Sequence, residues 1–228
     1  MLKTKFHFLQ FAGLIFLQII SIDILNAQDT IYLRNPSFED VPRKGGEFSP
    51  PIKEWHDCGL VRFPGESPPD IHPVYGVPGN AWEVSKKAYD GKTYLGLVTR
   101  YSDTYESVSQ KLDKPIESGK CFTLSIFLAK SDDYKSRTQR SRNELENFIQ
   151  PVECLIWGGD DFCSHDQLLV HSGPVSNSEW KEYRLTFSPN KSYQYITIGA
   201  FFEYGYLTPY NGHILVDALS PIVEVKCQ

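Results

Sequence analysis

The sequence contains no CxxC or CxxH pair, no HExxH and no GxSxG. The missing cysteine and histidine pairs argue against a structural zinc site. The other two absences remove common signatures of zinc proteases and α/β hydrolases. Asp160-Asp161 with His165 is the nearest approach to a catalytic cluster, and acidic turns beside a histidine arise easily by chance. The chain is therefore expected not to be an enzyme. It also lacks a basic stripe. Lys and Arg number 23 against 28 Asp and Glu, for a formal net charge of −5. Neutralising phosphates takes clustered cations, which speaks against nucleic acid as a partner. Long helical periods, internal repeats and a linker marking a second domain are absent too.

The amino terminus has the pattern of a secretory signal. Lys3 and Lys5 precede an apolar run from Phe8 to Ile20, and Leu25-Asn26-Ala27 supplies a small residue at the cut point. A run of 13 residues is short of the roughly 20 that a spanning helix needs. No cysteine follows it closely, which argues against a lipoprotein anchor. Residues 1–27 are expected to be removed, leaving 28–228 as a single domain that is secreted, periplasmic or on the cell surface. Loss of Lys3, Lys5 and Asp23 takes the formal charge to −6.

The rest of the chain has the period of strands. Phe122, Leu124, Ile126 and Leu128 alternate with Thr123, Ser125 and Phe127, and Tyr183, Leu185 and Phe187 alternate with Arg184, Thr186 and Ser188. Ile196, Ile198 and Ala200 share a face, and Thr93 to Val98 has the character of a strand buried on both sides. One polar and one apolar face per strand suits an all-β, antiparallel β-sandwich. Two stretches are irregular. Residues 41–81 hold eight prolines, which exclude a central strand there. Residues 131–150 are charged; Glu144 to Gln150 has the composition of one or two helical turns, or of a solvated excursion between strands.

Leu33 to Glu39 and His213 to Ser220 both have strand character, and each carries a carboxylate among apolar neighbours. Residues 31–39 are expected to pair near 213–222, closing the sheet first to last and bringing Glu39 and Asp217 together at one metal ion. Five cysteines lie beyond the signal. Export permits disulfides, and the odd count leaves at least one thiol unpaired within the chain. Spacing alone does not settle the pairing. Cys58 is expected to bond Cys163, because the proline-rich loop around Cys58 has few other means of being pinned. Cys121 with Cys227 is the second expected pair, since both lie at strand ends. Cys154 lies in an apolar run and suits a buried thiol.

Several segments taken in order resemble galactose-binding-like carbohydrate-binding modules. They are Asn35-Pro36-Ser37-Phe38-Glu39, Trp55, Ala88 to Leu97, Glu106 to Leu112, Gly119 to Ser125, Trp180 and Ile214-Leu215-Val216-Asp217. With Trp157-Gly158-Gly159 and Tyr210-Asn211-Gly212, the chain is similar to exported Bacteroidetes proteins that carry this module. The resemblance spans roughly residues 31–222. It implies a jelly-roll sandwich and a structural calcium ion at the junction of first and last strands. Glu39 and Asp217 would hold that ion, helped by backbone carbonyls of the Asp90–Lys92 turn, so that Asp90 and Lys92 join the metal set. Calcium takes about six to eight oxygens.

Sugar binding in such modules uses flat aromatics with polar groups at the rim. Trp157, followed by two glycines and then Asp160-Asp161, suits a ligand; it also suits a strand end packed on the core. Tyr204, Tyr206 and Tyr210 form a tyrosine-rich loop that offers stacking faces and hydroxyls, or else a self-packed hairpin end. Trp55, Trp82 and Trp180 are expected to be structural. The expected function is that of an exported non-catalytic module binding carbohydrate. The alternative is a structural or adhesive cell-envelope protein that binds a protein partner.

Overall fold

Alternating apolar side chains along the strands make two sheet faces that bury each other. The computed structural model describes residues 29–45, 50–59, 68–73, 81–138, 144–203 and 208–227. The expected signal peptide, 1–27, lies outside the described residues. In chain order the early strands are β1 (Thr30–Ile31), β2 (His56–Asp57), β3 (Asp70–His72), β4 (Tyr94–Arg100) and β5 (Thr104–Tyr105). The middle strands are β6 (Ser107–Ile116), β7 (Cys121–Ala129), β8 (Lys135–Ser136), β9 (Glu146–Asn147) and β10 (Val152–Gly159). The last are β11 (Gln167–Val175), β12 (Lys181–Phe187), β13 (Tyr193–Phe201), β14 (Gly212–Asp217) and β15 (Ile222–Val225).

One sheet has the order β1-β15-β7-β14-β4-β3, with β12 on the other edge of β7 and β5 beside β4. The second has the order β11-β10-β13-β6-β2. All of these ladders are antiparallel. The chain passes repeatedly from sheet to sheet, the jelly-roll arrangement of an antiparallel β-sandwich. Phe122, Leu124, Ile126 and Leu128 of β7 meet Val152, Cys154 and Ile156 of β10 and Ile196, Ile198 and Ala200 of β13 in the shared core. Among its described residues the proline-rich region contributes the short strands β2 and β3, both at sheet edges, where a missing N–H costs no ladder bond.

Chain closure is narrower than expected. Thr30 pairs with Val223 and Ile31 with Ile222, but Leu33 to Glu39 is not a strand. Asn35 and Phe38 take left-handed backbone conformations, with φ of 46° and 50°. The Asn35 side chain accepts the Glu39 N–H (2.8 Å), and its amide donates to the Lys53 carbonyl (2.9 Å). An asparagine that bonds nearby backbone stabilises a turn in place of a strand. Leu219 N–H still donates to the Pro36 carbonyl (3.0 Å), so this turn meets the end of β14.

Residues 131–150 also differ from expectation. Glu144 to Gln150 holds no helix; β9 pairs with β8 in a small hairpin. Nor is the stretch merely solvated. Tyr134 and Phe148 are buried and form a second cluster with Val84, Tyr94, Val98 and Leu215, on the outer face of β4 and β14. Two buried aromatics at the base of the hairpin outweigh the polar character of its tip.

Disulfides join Cys58 to Cys163 and Cys121 to Cys227, with Cα separations of 5.5 and 5.2 Å. Cys154 is free and buried, and burial pushes its thiol up to about 12. Each bridge closes a loop of more than a hundred residues, with sequence separations of 105 and 106. Such bonds restrict the unfolded chain and typically stabilise by about 2–4 kcal/mol. The Cys121→Ala/Cys227→Ala variant is expected to melt about 5–15 °C below the parent. Calorimetry showing an unchanged midpoint would refute this.

Candidate functional site

Two places gather the sequence-predicted residues. The first is the junction between chain start and end. Lys92 and Thr93 N–H donate to Glu39 Oε1 (2.7 and 2.9 Å), while Tyr89 and Asp90 N–H donate to Asp217 Oδ2 (2.8 and 3.1 Å). Ala218 N–H donates to Asp217 Oδ1 (2.7 Å), and Ser37 Oγ–H to Asp90 Oδ2 (2.7 Å). Glu39 and Asp217 thus clasp the two ends of one turn. At its apex Gly91 has φ +65°, and a Cβ there would lie 2.3 Å from Glu39 Oε1. Burial pushes the Asp217 carboxyl up to about 7 despite its three amide bonds.

These residues fit a calcium ion only in part. The expected helpers, Asp90 and Lys92, turn N–H groups toward the carboxylates, whereas calcium requires oxygens. Glu39 Oε2 is left without a hydrogen bond among the described residues, and no three His, Cys, Asp or Glu side chains there are grouped to hold a metal.

The second place is the outer face of the five-stranded sheet. Trp157, Thr197, Ser109 and His56 lie directly opposite one another in a row across β10, β13, β6 and β2. The loop after β10 roofs this row. His165 stacks on Trp157 (centroids 4.1 Å) at one end. Phe162 stacks on His56 (4.5 Å) at the other and meets Tyr195 edge-on (4.9 Å). The Cys58–Cys163 bond ties roof to sheet edge. Thr197 and Ser109, hydrogen-bonded to each other at 3.1 Å, are closed off beneath it. Trp157 is only 7% exposed, so it is floor and the core-like alternative describes it better. Phe162, at 38% exposed, is the ring that faces out. Lys111 lies over the Tyr195 ring at 5.8 Å.

Tyr210 does not join Trp157. Its hydroxyl donates to the Pro151 carbonyl and accepts the Glu203 N–H (both 2.8 Å), and its ring packs edge-on against Phe202. That placement is the self-packed alternative. Tyr204 and Tyr206 lie outside the described residues. In the acidic pair near His165, Asp160 pairs with Lys191 (2.6 Å) and Asp161 accepts the Phe162 N–H (2.8 Å). Phe162 itself was missed. The available signal was its place beside Cys163, since a disulfide to the loop of Cys58 would carry it over the sheet.

A third group was also missed, because its members are far apart in sequence. Asp70, His72, Tyr134 and His213 are all buried. Asp70 accepts hydrogen bonds from the Tyr134 hydroxyl and from Gly45 N–H. Burial raises the Asp70 and Tyr134 values and lowers His72 to about 3. His213 falls to about 4, again chiefly through burial. Its Nε2 accepts the Ser131 N–H (2.7 Å) and its Nδ1 faces the Phe148 carbonyl, which suits a neutral ring protonated at Nδ1.

No family model matches the sequence, and no curated protein does. Among solved structures, the chain is similar to the CBM22-1 xylan-binding domain of Paenibacillus barcinonensis Xyn10C, at 14% identity and a TM-score of 0.45. That match covers 89% of this chain and 98% of the other. A CBM4 structure matches at 15% identity and a TM-score of 0.40, over 85% and 100% of the two chains. The K3 cleaved adhesin domain of Lys-gingipain from Porphyromonas gingivalis matches at 9% identity and a TM-score of 0.40, over 81% and 99%.

The two buried imidazoles should make acid destabilising. Their folded values lie below the usual 6.5, so below about pH 6.5 the unfolded chain takes up protons that the folded chain refuses. Stability from these groups is then full above about pH 6.5 and declines as pH falls toward 4. Ring NMR shifts of His72 and His213 are expected to remain those of neutral imidazole at pH 5. Titration of either ring near pH 6.5 would contradict this.

Proposed function

We propose that this protein is an exported, non-catalytic module that binds carbohydrate through the exposed rim of the five-stranded sheet. The observation that carries the reading is the outward Phe162 ring, held rigidly between the Cys58–Cys163 bond and the His56 and Tyr195 rings. A fixed, flat ring beside polar groups stacks on a sugar with little loss of side-chain freedom. His56, Tyr195 and Lys111 supply the polar rim. The ordered motifs of residues 31–222 support the same reading, and the two disulfides are compatible with an extracellular setting. Among the described residues no helix is long and apolar enough to cross a membrane.

Trp157 supports the platform from below. Phe162→Ala is expected to lower glycan affinity about tenfold or more, in line with the loss of one stacked ring, while the melting midpoint stays near the parent's. Trp157→Ala is expected to lower the midpoint instead. A glycan array on the mature protein, followed by titration calorimetry on the best ligand, tests this. An array without a hit, or a hit indifferent to Phe162→Ala, would overturn the reading.

We also propose that calcium binds at the Glu39–Asp217 junction. A cation there would relieve the buried Asp217 carboxylate, and Glu39 Oε2 is available to it. At free calcium about a hundred times the dissociation constant, binding adds roughly 2.7 kcal/mol to folding. A chelator should then lower the midpoint by several degrees, and Asp217→Ala should abolish that response. A melting curve that neither chelator nor added calcium moves removes the ion.

A further inference from the structure

A groove of about 360 Å³ opens on the opposite side of the molecule, between the β8–β9 hairpin and the Ala81–Glu83 turn. That size falls within the roughly 300–1,000 Å³ typical of small-molecule sites. Its floor is the Trp82 indole, which stacks on buried Tyr134 (5.7 Å, planes 17° apart) and so rests on the second core cluster. Trp82 and Glu83 both take left-handed conformations, with φ of 56° and 60°. Two adjacent non-glycine residues in that region are uncommon, and such backbone tends to persist where it presents a functional side chain.

The walls are cationic. Lys44 Nζ lies 5.0 Å above the Trp82 ring. Lys135 lines the groove and reaches Glu83 (2.7 Å) and Asp133 (3.6 Å). Arg137 also lines it, is exposed, and makes no ion pair with a described residue. Ser136 adds a hydroxyl and Leu145 an apolar lip. The exposed guanidinium fork of Arg137 fits a carboxylate or sulfate bidentately.

We infer that this groove is a second saccharide site, selective for an anionic pyranose: a sugar unit bearing a carboxylate or a sulfate. Leu145 and the indole, from whose outer face Lys44 swings aside, receive the C–H face of the ring, Arg137 and Lys135 take the anion, and Ser136 bonds a hydroxyl. The site is separate from the Phe162 rim, so either can fail while the other stands.

Titration calorimetry on the mature protein with oligogalacturonate, dextran sulfate and neutral dextran tests it. The first probe carries carboxylates, the second sulfates, and the third neither. At least one acidic probe is expected to bind and dextran is not; which acidic probe binds identifies the preferred anion. Affinity should weaken as salt rises. Arg137→Glu should cost about tenfold or more, with an unchanged melting midpoint because Arg137 is exposed. Lys226→Glu, a charge change on an exposed residue elsewhere, should leave binding intact. The proposal is overturned if neither acidic probe binds, if dextran binds as well as they do, or if Arg137→Glu and Lys226→Glu have equal effects. Glycan binding that depends on Phe162 bears on the other site alone.

Discussion

β14 is buried on both of its faces, and the outer half of the molecule depends on that. Ile214 and Val216 belong to the main core, whereas Leu215 faces the other way into the second cluster. His213 and Asp217 share that outer side and are buried with it. A buried imidazole or carboxyl without partners would cost several kcal/mol, so each recruits backbone. His213 binds both ends of the 131–148 excursion, at Ser131 and Phe148. Asp217 binds the amides of Tyr89 and Asp90. The same contacts that satisfy the strand bring Tyr134 and Phe148 over Leu215, and Tyr134 in turn supports Trp82. The groove above Trp82 therefore rests on the polar ends of one strand.

The five-stranded sheet meets its outer side differently. Ser107, Ser109 and Thr197 are small and polar, and burying them yields little hydrophobic gain. A roof over such a surface needs other attachments. Here it has the Cys58–Cys163 bond and two ring stacks, His165 on Trp157 and Phe162 on His56. Pinning from both ends leaves Phe162 partly exposed but not free to turn. A recognition surface can be built this way on a loop while retaining the rigidity of a sheet. The two faces of the sandwich thus present aromatic rings in two ways, one on a stapled loop and one on a cluster of buried side chains.

Strand alternation in β7 and β12, and the all-apolar run in β4, were legible because side-chain period and burial are local properties. Exclusion of a central strand from the proline-rich region was legible for the same reason, but the short edge strands β2 and β3 within it were not. The turn at Asn35 to Phe38 was misjudged, since the apolar residues around it masked the asparagine that folds the backbone back. The 131–150 excursion was misjudged because two aromatics among many charges carry its energetics. For Trp157 and Tyr210 the residue type admitted both stacking platform and packed ring; the neighbours that cover them, His165 and Pro151, come from elsewhere in the chain.

What the sequence by itself determined is the class of fold, an antiparallel sandwich of strands with its proline-rich segment at the margins, because each strand's pattern states which of its faces seeks the core. Which carboxylate meets which turn, which ring covers Trp157 and which faces solvent were decided only by the tertiary structure. Those contacts join residues separated by tens of positions or more, as between Asp217 and Tyr89 or His213 and Ser131. No local pattern encodes them, since they exist only once the sheets have packed and buried polar groups must find partners.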